Sequence, residues 1–178
     1  MKAAMVAFSL MPVVVLAEES NISQSHSHGT GTLIVTHSDT SIKLSLSAPG
    51  ADIVGFEHPA ENNDDRVLVA RAVSDLSKPL ELFEPPVEAG CFNASANVTL
   101  TSVAQGQSDK AGDERHMEFV ADYRITCQNA EQLDRVKFAY FDRFPNAGML
   151  RLQVVCGDVA QVKEVSRADP IAGLACIQ

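Results

Sequence analysis

The feature that most constrains this chain is an alternation of apolar residues over Met117, Phe119, Ala121, Tyr123, Ile125 and Cys127. Side chains two apart share one face of a strand, so this run predicts a long strand with its odd positions on a core. Its even positions, among them His116, Glu118 and Asp122, then share the opposite face. The same period recurs in Leu33 and Val35, in Ile42, Leu44 and Leu46, in Ala94, Ala96, Val98 and Leu100, and in Leu150, Leu152 and Val154. Ser38-Asp39-Thr40 between the first two runs suits a hairpin turn. Val136, Phe138 and Tyr140 suggest a further strand, and Val159 to Val165 a last one. Leu80 to Phe83 reads as a short strand or turn, and the tail from Ser166 as irregular.

One segment has helical spacing instead. Val69, Val73 and Leu76, with Leu68 and Ala72 beside them, form one apolar face. Asn62 or Asn63 can cap it, Asp64 and Asp65 favour its first turn, and Lys78-Pro79 ends it. Between the hairpin and this helix, Ala48 to Pro59 contains two prolines and two glycines and is expected to form no regular element. The prediction is an α+β fold, mostly antiparallel sheet with one main helix, stapled by disulfides. A strand pair, a Phe-rich bend and a further strand occur on both sides of the loop at Gln105 to Arg115, which admits a two-fold pseudo-repeat.

Met1-Lys2 and the apolar run Ala3 to Leu16 read as a secretory signal peptide, residues 1–17, with cleavage after Ala17. The run is short for a membrane-spanning helix, and no later segment is long enough. Residues 18–31 form a polar, His-containing arm, and residues 32–178 a single domain. The formal charge is −9, and loss of Lys2 with the signal makes it −10. Such a surface disfavours nucleic acid and anionic lipid. The four cysteines, Cys91, Cys127, Cys156 and Cys176, are expected to form two disulfides in an oxidising compartment. Three connectivities are possible; Cys91 with Cys127 and Cys156 with Cys176 is the pairing expected.

The five histidines are His26, His28, His37, His58 and His116. In an extended arm His26 and His28 point to one side and can reach one ion. His58 sits in Gly55-Phe-Glu-His-Pro59, where proline fixes the backbone and glycine permits an unusual turn. His116 begins the long strand. His37, near the hairpin turn, is expected at the surface. Imidazole nitrogen is a good zinc ligand, and zinc takes three or four such groups. Each residue also has a plainer reading: a solvated arm, a histidine bonded across its own bend, a polar sheet face. Glu57 can be a partner of such a site or a surface charge. HExxH, GxSxG and P-loop signatures are absent from the sequence, so catalysis is not expected. Copper is a variant of the metal reading, disfavoured by the scarcity of methionine beyond Met11.

At this point the chain resembles the ZrgA-like periplasmic zinc-binding proteins. The matching pieces are His26-Ser-His28-Gly29 with Thr32-Leu33, Leu44-Ser-Leu46-Ser-Ala48-Pro49, Asp52-Ile-Val-Gly-Phe-Glu-His-Pro59 and Ala89-Gly90-Cys91. His116-Met-Glu-Phe119 with Tyr123-Arg-Ile-Thr-Cys127, and Phe141 with Phe144-Pro145, complete the pattern. The resemblance implies a periplasmic protein of zinc uptake, with Zn2+ as its ion and an ABC-type importer as a partner in some relatives. It points to His26, His28, His58 and His116 as metal ligands and supports a Cys91–Cys127 bond. The chain departs from the family in two ways. It has no His- and Asp-rich insert in its middle loop, which speaks against storage of several ions, and Cys156 and Cys176 look like additions of its own. The alternatives are a metal-free periplasmic interaction or structural module and, behind it, a metal-dependent hydrolase.

Overall fold

The computed structural model describes residues 29–38, 40–104 and 115–175. The expected signal peptide, most of the arm and the middle loop lie outside these residues. Two strands, β1 (Thr30–Ser38) and β2 (Ser41–Pro49), pair antiparallel as the predicted hairpin. The last two residues assigned to the arm, Thr30 and Gly31, already belong to β1. A single helical turn α1 (Gly50–Ile53), the helix α2 (Asn63–Leu76), a second turn α3 (Pro79–Leu82) and the two-residue strand β3 (Phe83–Glu84) follow. Next come the long strands β4 (Cys91–Ala104) and β5 (Arg115–Cys127), then β6 (Arg135–Phe138) and the turn α4 (Tyr140–Arg143). The chain closes with β7 (Met149–Cys156), β8 (Val159–Ser166) and β9 (Ile171–Gly173).

The main sheet has the order β4-β5-β2-β1-β7-β8. Every neighbouring pair in it is antiparallel except β1 and β7, which run parallel. A smaller antiparallel sheet, β3-β6-β9, lies apart from it. The odd positions of β5 from Met117 to Cys127 are all at most 3 % exposed, as the alternation requires. In register beside them stand Leu44 and Leu46 of β2, Leu33 and Val35 of β1, and Leu152 and Val154 of β7. Phe83 ties this face to the layer covering it. Its ring lies 6.1 Å from Tyr123 on the sheet, 5.7 Å edge-on from Phe138 and 6.1 Å stacked on Tyr140. Burial raises the pKa of both tyrosines, with Asp122 and Asp52 respectively adding to the rise. The other face of the sheet, with Lys43, Asp122, Arg124 and Asn97, is open to solvent.

Helix α2 starts as expected. The Asn62 side chain accepts from Asp65 N while the Asp65 carboxylate accepts from Asn62 N, a capping box. The Asp65 carboxyl is held below the usual carboxylate range, chiefly by the Glu61 N–H. Leu68, placed on the apolar face by its spacing, is 41 % exposed. Helix α2 has no counterpart of its length among the described residues after β5.

Three local expectations are corrected and one is met. Ala48 and Pro49 finish β2, and Gly50–Ile53 forms a helical turn rather than irregular chain. Gly55, at φ 88°, takes the left-handed position that stops this turn. The one met is Leu80–Phe83, expected as a short strand or turn: it is the helical turn α3, with Pro79 at its first position, leading into β3 at Phe83. Tyr140 leaves the strand rhythm to begin α4, yet is fully buried. Its two-residue spacing from Phe138 places both rings in the core by a different backbone path. The tail contributes β9 to the smaller sheet.

Cys91 and Cys127 are disulfide-bonded, in register between β4 and β5. Cys156 is also disulfide-bonded; Cys176, its expected partner, lies outside the described residues.

Candidate metal centre

The bend from α1 to Pro59 packs against the start of β5. Glu57 O accepts a 2.7 Å hydrogen bond from Met117 N. One backbone bond therefore joins the residue before His58 to the residue after His116. Gly50 makes the approach possible: a Cβ there would stand 2.6 Å from Phe56 O and 2.9 Å from Met117 O. Any side chain at position 50 would push the bend off the strand.

The Glu57 carboxylate reaches across this junction and accepts from His116 Nδ1. Both side chains are shielded, at 16 % and 24 % exposure. His58 is exposed, but its ring is fixed by stacking on Phe56, with centroids 4.7 Å apart and planes 16° from parallel. Its Nδ1 lies 2.9 Å from the Pro59 carbonyl oxygen. A carbonyl can only accept, so Nδ1 carries the proton. Both histidines thus have Nδ1 engaged by an oxygen acceptor. In this tautomer Nε2 carries the ring's lone pair, the arrangement found in metal sites where a carboxylate or carbonyl holds the far side of the ring.

Two further carboxylates lie around the bend. Asp52, in α1, is 2 % exposed and accepts a 3.0 Å hydrogen bond from Gly29 N. Gly29 O in turn accepts from Met149 N at 2.9 Å. The point where the arm enters the fold is thereby tied to the bend and to β7. Asp52 opens one of the pieces that carry the family resemblance, but its sequence neighbours give no sign of its buried role. Glu118 lies on the open face of the sheet yet is only 9 % exposed, and it accepts from Ser47 Oγ.

Of the four expected ligands, His58 and His116 fall on adjoining segments, and His26 and His28 lie outside the described residues. Among the described residues, no three His, Cys, Asp or Glu side chains form a group able to hold a metal. His37 departs from expectation. It is half-buried, with Nε2 enclosed, because the C-terminal segment folds back beside it. Desolvation holds its pKa below the usual imidazole range, against a smaller opposite effect of a hydrogen bond to the Leu174 backbone.

No helix among the described residues is long and apolar enough to cross a membrane. No curated protein matches this chain. Residues 25–174 match the family described as ZrgA family zinc uptake protein. That span contains the hairpin, the Gly55–Pro59 bend, β5 and β7, so the chain belongs to the ZrgA family of zinc uptake proteins.

Proposed function

We propose that this protein binds zinc in the periplasm and delivers it toward uptake, as an accessory to an ABC-type importer, using His26, His28, His58 and His116. The observation that carries the reading is the shared arrangement of His58 and His116, each with Nδ1 against an oxygen acceptor, which would leave Nε2 to face an ion. The residues present suit zinc, which prefers imidazole nitrogen. Zinc here is cargo, and its ligands must be neutral to take it up.

The arm supports the same reading. His28 is bonded to Gly29, whose N–H is held by Asp52 one turn before the bend. Gly29 is thereby fixed beside the bend, where the stretch of sequence that carries His26 and His28 joins the fold. Export is supported by the disulfide bonds of Cys91, Cys127 and Cys156, which suit an oxidising compartment. The same bonds withdraw those thiols from nucleophilic chemistry, which favours a binder over a catalyst.

The test is zinc titration of the metal-free mature chain against a chromophoric chelator near neutral pH. His58→Ala and His116→Ala should each weaken binding roughly tenfold or more, and Glu57→Gln about tenfold through loss of the bond that orients His116. Absence of micromolar zinc binding by the unaltered chain contradicts the reading.

A further inference from the structure

Among the described residues, strand β4 is an unprotected edge of the main sheet. It has 14 residues and lies at one end of the main sheet, and among the described residues it pairs with β5 alone. Its sequence, Cys91-Phe-Asn-Ala-Ser-Ala-Asn-Val-Thr-Leu-Thr-Ser-Val-Ala104, contains no charged residue and no proline. Edges are ordinarily blunted by lysines, prolines, bulges or shortness, because their free N–H and C=O groups template another strand. The one irregularity lies between Asn93 and Ser95, near the start, and from Ser95 to Ala104 the register with β5 is unbroken. The opposite edge differs. Strand β8 has eight residues, includes Lys163 and Glu164, and Lys163 Nζ donates to Gly173 O, which pins the C-terminal segment beside it.

The covering layer also stops short at this edge. Leu100 stands in register with Phe119; Phe119 is fully buried, whereas Leu100 is 42 % exposed. Helix α2 packs against β4, yet its Val67 and Leu68 are 58 % and 41 % exposed.

We propose that β4 pairs antiparallel with β4 of a second copy, joining two sheets across a two-fold axis. The strand is self-complementary in that arrangement. Side-chain parity requires the axis to pass through a residue, since directly opposed residues share a face. An axis at Thr99 sets Val98 against Leu100 of the second copy, twice, and Asn97 against Thr101. Apolar then meets apolar on the core side, and polar meets polar on the open side. Charge selects the same edge. Two copies of a chain with net charge −9 repel, and β4 brings no charge of either sign to the contact. The unbroken ladder, Ser95 to Val103, would run about 30 Å. Leu100, Val67 and Leu68 supply apolar surface toward the roughly 800 Å2 per partner that a stable interface buries.

Sedimentation equilibrium of the mature chain in EDTA, which removes any zinc bridge, tests the proposal. A dimer mass is expected, with Leu100→Lys weakening the dimer roughly tenfold or more while the far-ultraviolet spectrum stays native. Monomer mass at every concentration overturns it, whether because the edge serves a different protein or because this chain's own arm covers it. A dimer indifferent to Leu100→Lys overturns it equally. Should Leu100→Lys fail to fold, Thr99→Cys decides. Twin cysteines at the axis lie about 4.5–5.5 Å apart, so oxidation should give a linked dimer, and its failure refutes the pairing.

Discussion

At the scale of single residues, the site depends on which nitrogen of each histidine carries its proton. Glu57 settles this for His116 and the Pro59 carbonyl for His58. The bend's rigidity was legible in Gly55-Phe-Glu-His-Pro59, since proline and glycine act locally. The Glu57–His116 bond was not, because it joins residues 59 apart in sequence. His37 shows the converse failure: its neighbours suggested a surface turn, but the tail that shelters it comes from the far end of the chain. Its lowered pKa means that the folded protein favours the neutral ring. The unfolded chain binds that proton more readily, so the contribution of His37 to stability is full above about 6.5 and falls as pH drops below it. His37→Gln should therefore lose less stability than the unaltered chain between neutral and mildly acidic pH, measured as urea midpoints. An identical loss in both would show that His37 carries no such linkage.

At the scale of elements, strands announced themselves and short turns did not. The alternation in β5 reports a face buried along its whole length. Four-residue turns such as α1 and α4 have too few residues to show a helical period, and prolines and glycines disguised the first of them. Yet α1 positions the site. It turns the chain out of β2, buries Asp52 where it holds Gly29, and lays Gly50 against the backbone of Phe56 and Met117. Gly50→Ala should destabilise the fold by about 1–3 kcal/mol, as overpacking against rigid backbone does. It should also weaken zinc binding by shifting the bend off β5. Thermal unfolding and chelator titration read the two effects separately, and an alanine variant with native stability would show that the junction is looser than its geometry implies.

At the scale of the whole molecule, the fold class followed from pattern, but the order of strands did not. Nothing local specifies that β7 joins β1 in parallel, or that β3, β6 and β9 form a separate small sheet over the core. Those choices are made by long-range burial, with Phe83 linking the two layers. They also bring the arm's entry at Gly29, the bend and the start of β5 to one region, which the proposed sharing of one ion by His26, His28, His58 and His116 requires. The most direct measurement is anomalous diffraction at the zinc edge from crystals of the zinc-loaded mature chain. The account predicts an ion about 2.0–2.1 Å from Nε2 of both His58 and His116, with imidazoles of the arm completing the shell. A zinc ion bound elsewhere, or bound with either of these two rings outside its coordination sphere, would contradict it.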